Sequence, residues 1–409
     1  MHVLIVNPAS SGARWISAAR ALGLYVTVLT PGTGHYALPE NVLSDADHVE
    51  TTTDVATSTI LAAARRVHDA RRIDLAVPGD EFSVPATARI AEEFGLPGMR
   101  PDDADAARDK GLMRDRLRAA GVRSPRHVIA SDAAAAVAAA DGIGYPCVVK
   151  PVGMVGTIGV RRTDNRADVA EAYRLIAADR LPMNGVLPGG TVIVESYLVG
   201  PEFSAEGVAV GGRTEVVAIT EKFLGPEPNF QQVGHLVQPT DLVDGHTEVV
   251  AYIEAVVDAL GITGAAFHAE YRVTPDGPVL IEIGARLAGD RIAEMVEMVT
   301  GACQAQTVLA AMAGLPAPAP RSVDAPVACI HFVTSPKLAG RSYRELRGWD
   351  DAARRREIAS SVVSIGPGEP IPDTQDLRSR IAHLVFTAPN RATAVRLRES
   401  LVTAVDVLV

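Results

Sequence analysis

Residues 267–291 read FHAEYRVTPDGPVLIEIGARLAGDR. Thr274-Pro275-Asp276-Gly277 is turn chemistry between two alternating segments, so the stretch predicts two antiparallel strands joined by a tight turn. Phe267, Ala269 and Tyr271 share one face of the first strand, with His268, Glu270 and Arg272 on the other. On the second strand Val279, Ile281 and Ile283 alternate with Leu280, Glu282, Gly284 and Arg286. A turn centred on Asp276 sets Glu270 directly across from Glu282. Like charges facing across a ladder are unfavourable unless a cation lies between them, and carboxylate oxygens completed by phosphates are what Mg²⁺ takes. An exposed, solvated acidic face is the bland alternative. Arg286, beside the pair and followed by Gly289, places positive charge where charge builds up in phosphoryl or acyl transfer.

Outward from the hairpin, strand and helix signals alternate, which argues α/β architecture over 409 residues and two to four domains or subdomains. Residues 1–105 carry buried-type strands (HVLIVN, YVTVL, IDLAV) between amphipathic helices, the pattern of a parallel sheet covered on both faces. Ser10-Ser11-Gly12 and Gly79-Asp80-Glu81 follow strands of that sheet, and both read more readily as helix caps than as anion sites. Segments 106–190, 191–320 and 321–409 are expected as three further units, the last after the linker-like LPAPAPRSVDAP. The proline-bearing segment 223–242 is read as one long loop, and 293–313 as one helix.

A net charge of −10 without a basic block argues against nucleic acid or an anionic membrane as the main partner. Three scattered cysteines, Cys147, Cys303 and Cys329, form neither a disulfide framework nor a zinc spacing. With no signal-peptide pattern and no membrane-length apolar run, the expected location is a reducing cytoplasm.

Lys150 ends a strand and precedes Gly153, Gly156 and Gly159, which would let backbone N–H groups of a strand–loop–strand flap approach phosphate. Alone, the triplet is equally a plain turn. Glu195 and Glu202 flank ESYLVGPE, a connector able to present backbone groups to an adenine edge and a carboxylate to a ribose; read in isolation, both acids face solvent. Lys110 in isolation is a surface lysine of a helix over 109–120.

Taken in order, RDKGLMRDRL, YPCVVKP, GMVGTIGV, VESYLVGPEFS, HAEY and LIEIGAR make this chain resemble the ATP-grasp superfamily over essentially its whole length. The resemblance implies an α/β and α+β fold: an N-terminal parallel-sheet domain, then ATP held between two α+β subdomains. It implies that Lys110 and Lys150 contact the nucleotide, that Gly153, Gly156, Thr157 and Gly159 close over phosphates, and that Glu195, Tyr197 and Leu198 meet adenine and Glu202 the ribose. Glu270 and Glu282 would hold Mg²⁺, with Mn²⁺ as a substitute, and Arg286 would stabilise the transferring group. Many members read Glu-x-Asn where this chain has Gly284, so the metal shell lacks an amide oxygen. EIGARLAGDRI and TEKFLGPEPNFQQVGHLVQP look like the L-amino-acid ligase branch, including ligases of natural-product pathways. Gln232, His235, His268 and Gly289 would then touch substrate, with Gln232 replacing an expected acid and Asp290 a second glycine. The implied activity is ADP-forming amide synthesis from a small carboxylate and an amine through an acyl phosphate. Alternatives within the ATP site are a thiol or carrier-protein acceptor, a carboxyphosphate-forming carboxylase and a non-catalytic ATP-binding module. Dimers are common among such proteins, and a homodimer is one expected state.

Overall fold

The wholly buried run His2–Val6 (β1) pairs in parallel with Tyr25–Thr30 (β2) and Leu75–Pro78 (β4), and β2 pairs with His48–Thr51 (β3), giving the order β3-β2-β1-β4. This arrangement comes from a computed structural model that describes residues 1–409. Every side chain of β1 is buried because helices cover both faces, as a parallel sheet requires. One face packs Val3, Ile5 and Trp15 against Leu287, Ala293 and Val308, so this sheet shares its core with helices that follow the hairpin.

A second sheet orders β5 (His127–Ala130), β8 (Val192–Ser196), β6 (Cys147–Pro151) and β7 (Arg161–Thr163), backed by helices Ala133–Ile143 and Arg166–Ala178. Strand β8 hydrogen-bonds here, so this sheet ends after Ser196 and not at the expected 190. The helix Lys110–Ala119 goes the other way: Met113 and Leu117 sink into the core beneath the large sheet.

The large sheet is antiparallel. It is built from β9 (Glu202–Val210), β10 (Arg213–Leu224), β11 (Gln232–Pro239), β12 (Ala265–Thr274), β13 (Gly277–Gly284), β14 (Val327–Val333), β16 (Ile358–Val363) and β17 (Ala382–Ala388), in the order 13-12-9-10-11-14-17-16. A short ribbon, β15 (Glu345–Arg347) with β18 (Asp406–Leu408), sits apart. Three expectations change here. The segment 223–242 is not one loop, because β11 occupies its second half and bonds both β10 and β14; its Gln, Gly, His and Pro residues hide the strand alternation. The segment 321–409 is not a separate module either, since β14, β17 and β16 prolong the sheet through the β11–β14 pairing. The helix expected over 293–313 breaks into Ile292–Thr300 and Gln304–Met312, because Gly301 stands at φ +71° with the Arg321 carbonyl against it. No helix is long and apolar enough to cross a membrane.

Candidate active site

The hairpin β12–β13 carries the paired acids, and a bulge puts them in register. Thr274 to Tyr271 pair with Gly277 to Leu280; Ile281 is then the extra residue, after which Glu270 faces Glu282, Ala269 faces Ile283 and His268 faces Gly284. The turn is therefore the two-residue Pro275-Asp276, and the expected juxtaposition of the acids is reached through Ile281, not a turn centred on Asp276. The bulge also changes the second strand's faces. Leu280 and Ile283 both join the core with Phe267, Ala269 and Tyr271, while Ile281 lines a cleft.

The two acids are balanced by the chain's own cations. Lys222 Nζ contacts Glu270, and His268 Nε2 lies 3.0 Å from the same carboxylate. Lys110 Nζ sits 2.8 Å from Glu282 and donates to the Met154 carbonyl at 2.7 Å. Two ammonium groups thus neutralise the pair without any ion, which corrects the premise that only a divalent cation could reconcile them. Burial opposes the charge on Glu270, but Lys222 and His268 outweigh it and hold the carboxyl well below its usual range. Behind it, fully buried Glu206 accepts from Ser204 Oγ at 2.7 Å and from Thr220 Oγ1 at 3.1 Å, and lies 2.9 Å from His268 Nδ1. Burial works against a charged imidazole, yet Glu206 and Glu270 raise His268 to about 8. Lys222 and Glu206 were not foreseen from sequence. The available signal was parity: Ala218, Thr220 and Lys222 share the buried face of β10.

A cleft opens from the acids toward the second sheet. Val148, Met154, Ile158, Leu198, Phe230 and Ile281 form its apolar wall, and Lys110, Lys150, Glu195, Glu202, Glu270 and Glu282 line it as well. Glu195 is not a free acid turned to an adenine: Lys150 Nζ (2.7 Å) and Arg114 Nε (2.8 Å) hold its two oxygens. Burial opposes that charge, and the two cations still bring the carboxyl down to about 2. Tyr197 donates to Glu227 at 2.5 Å and stacks on Phe230. The Leu198 carbonyl accepts from Arg272 at 2.7 Å, and Glu202 accepts from Arg272 Nε at 3.2 Å.

Of the flap residues, Thr157 lines the cleft, Gly156 lines a neighbouring chamber, and Gly153 and Gly159 line neither. The Gly153 carbonyl is held by Arg108, and Gly159 packs against Pro151 and Ile176. Gly156, at φ +64°, lies under Leu377, whose Cδ2 would be 1.6 Å from an added Cβ. A Gly156→Val substitution adds backbone strain of about 1–3 kcal/mol to the closed flap, so on the order of tenfold loss of turnover is expected; steady-state phosphate release checks it.

The neighbouring chamber lies between the hairpin and the N-terminal sheet, and shares Glu270 and Glu282 with the cleft. Ser10, Ser11, Gly12, Asp80 and Glu81 come to it from the strand ends of the N-terminal sheet. Asp80 accepts from the Ser83 amide at 2.9 Å, closing the turn ahead of the helix Val84–Phe94, whose N-cap is Ser83 and not Asp80 as expected, and also from Tyr36 (2.6 Å) and Asn184 (2.9 Å). Arg286 lines the chamber and donates to Glu81 at 2.7 Å. Gln232, His268 and Gly289 line it too. His235 does not: fully buried, it lies 2.9 Å from Asp290 on a layer behind the wall. Nor does Asp290 reverse the chamber's charge, because Arg380 at 2.6 Å balances it, while His235, whose charged form burial disfavours, contributes a hydrogen bond. Arg114, Lys222, Glu81 and Arg380 all come from elements distant in sequence from the groups they pair, which is why motif reading passed over them.

A model of the ATP-grasp domain matches residues 143–294, and a model of the ATP-grasp N-terminal domain matches residues 16–98. The chain is 26% identical over 411 residues to the uncharacterized protein y4rH of Sinorhizobium fredii, covering 99% of this chain and 82% of that one. It is 33% identical over 214 residues to dapdiamide A synthase of Enterobacter agglomerans, a match covering 50% of this chain and 49% of the synthase. In shape it is similar to an L-amino acid ligase from Bacillus licheniformis, with a TM-score of 0.81 at 20% identity, covering 100% of this chain and 98% of that one.

Proposed function

This chain belongs to the ATP-grasp superfamily, and on that premise we propose that it is an ADP-forming carboxylate–amine ligase acting on amino-acid-like substrates. The observation that carries the reading is the seam. Glu270 and Glu282 face each other where the apolar-walled cleft meets a chamber lined by Arg286 and by strand ends of the N-terminal sheet. The dapdiamide synthase match and the fold shared with an L-amino acid ligase support the same reaction class.

The donor set suits Mg²⁺ or Mn²⁺. Glu270 and Glu282 offer hard anionic oxygens, which fits a metal shared between one or two carboxylates and substrate phosphates. When bound, the metal would supply neutralisation of triphosphate charge. Lys110 and Lys150, buried at the cleft wall, would give their ammonium groups to phosphate oxygens in exchange for Glu282 and Glu195. The apolar wall with Tyr197 and Phe230 would seat the base, with Glu202 at the ribose. The flap would exclude water that otherwise hydrolyses an acyl phosphate.

A substrate carboxylate oxygen bonds to the γ-phosphorus as the bond to the ADP oxygen breaks. The amine nitrogen then bonds to the acyl carbon, the carbon–oxygen bond to phosphate breaks, and the amine loses a proton. Arg286 would meet the acyl oxygen as negative charge collects on it.

The test is incubation with ATP, Mg²⁺ and a panel of amino acids, with hydroxylamine as the trapping amine. ADP, phosphate and hydroxamate should rise together. AMP release, or no product across the panel, removes the ligase reading.

A further inference from the structure

Every acid around the chamber is engaged, and one is engaged in a way a substrate can exchange. Glu270 and Glu282 hold lysines, Asp290 holds Arg380, and Asp80 is taken by Tyr36, Asn184 and the Ser83 amide. Gln232, which also lines the chamber, is neutral. Glu81 differs in its partner, Arg286, and not in having an open oxygen, since Glu270 and Glu282 are likewise held through one oxygen each. It reaches from the N-terminal sheet to Arg286 Nε at 2.7 Å through one carboxylate oxygen, and no protein group donates to the other.

Room for that contact comes from Gly284. A Cβ at this position would stand 2.4 Å from Glu81 Oε2 and 3.3 Å from Arg286 Nε. The backbone of Gly284 is not left-handed, so the glycine is required here for space and not for conformation. The chamber wall also holds two buried polar atoms without partners, Ser11 Oγ and Asn184 Oδ1. Such atoms are uncommon in native interiors, and a polar occupant of the chamber would satisfy them.

Resting on the ligase reading, we propose that Glu81 holds the ammonium group of the amino acid whose carboxylate is activated, with Arg286 taking that carboxylate. An α-amino acid carries its two charges on adjacent carbons, so it can insert into the Glu81–Arg286 pair and leave each buried charge with a partner. An acid lacking the amino group would take Arg286 and strand Glu81, and a buried charge left unpaired is costly. The ammonium remains protonated because the second substrate supplies the nucleophile. Glu81 is thus a specificity determinant of the donor side, delivered by the N-terminal sheet.

Calorimetry on the full chain saturated with Mg²⁺ and a non-hydrolysable ATP analogue tests the assignment. The probes are L-alanine, L-leucine and L-phenylalanine against propionate, 4-methylpentanoate and 3-phenylpropionate. The wild type should prefer the amino acids by roughly tenfold or more, as expected when one buried polar group is left unpaired. Glu81→Asp should keep much of that preference. Glu81→Gln, and Gly284→Ala with Glu81 still present, should bring the two classes nearly level.

An equal preference in wild type and Glu81→Gln overturns the proposal. So does a uniform weakening of both classes, which would make Glu81 only a positioning residue for Arg286. Loss of Mg²⁺ affinity in Glu81→Gln with the preference intact would assign the carboxylate to the metal and overturn it as well. Hydroxamate formation by the wild type is read separately. If the preference follows Glu81 but no ADP appears, the ammonium site stands and the ligase reading falls.

Discussion

Arg286→Ala should lower ADP-forming turnover by about 10²–10³, the usual cost of removing one donor to a developing oxyanion. Arg286 lies outside the lining of the nucleotide cleft, so binding of an ATP analogue should remain measurable. The substitution also leaves the Glu81 carboxylate without its cation in a site where only about an eighth of that side chain is exposed. A loss of stability must therefore be separated from a loss of chemistry. The double variant Glu81→Gln with Arg286→Ala removes the stranded charge and should recover thermal stability, yet stay as slow as Arg286→Ala. Phosphate release under saturating ATP, alongside melting curves for the three proteins, decides this. Near-normal turnover in Arg286→Ala would take this residue out of the mechanism.

Glu195→Ala should destabilise the fold by about 3–5 kcal/mol, the range for breaking a buried ion pair by removing one partner. Arg114 is fully buried and Lys150 nearly so, and both depend on this carboxylate. Glu195→Gln keeps the volume and isolates the charge. The folded-state value of about 2 lies below the ordinary value of 4.5. The ionised carboxylate therefore contributes stability that is full above about pH 4.5 and is lost as pH falls toward about pH 2. The gap in urea midpoint between wild type and Glu195→Gln should be widest at neutral pH and close on acidification across that window. A pH-independent gap would mean that the glutamine acts through shape and not through charge. Because Lys150 and Arg114 also frame the cleft, nucleotide affinity should fall in both variants even where they remain folded.

The buried runs HVLIV and YVTVL, with amphipathic helices between them, read directly as a parallel sheet because burial on both faces leaves continuous apolar sequence. Likewise the alternation of FHAEY brought His268 and Glu270 to one face and Phe267, Ala269 and Tyr271 to the core, since side-chain parity along a strand is a local property. The order of lysines, glycines, acids and arginine carried the superfamily. Alternation failed at Ile281, where one inserted residue moved Leu280 inward and kept the acids opposite each other. It failed again in β11, whose His235 joins Asp290 and Arg380 in a buried layer assembled from three parts of the chain.

Composition and periodicity by themselves determined the class of fold, the strand carrying the acid pair and the chemistry those acids suggest, all of which rest on neighbours within a few residues. The tertiary structure alone decided which cation meets which acid: Lys222 with Glu270, Lys110 with Glu282, Arg114 and Lys150 with Glu195, Glu81 with Arg286. Coulomb energy depends on separation in space and on burial, and neither is written in the distance between residues along a chain.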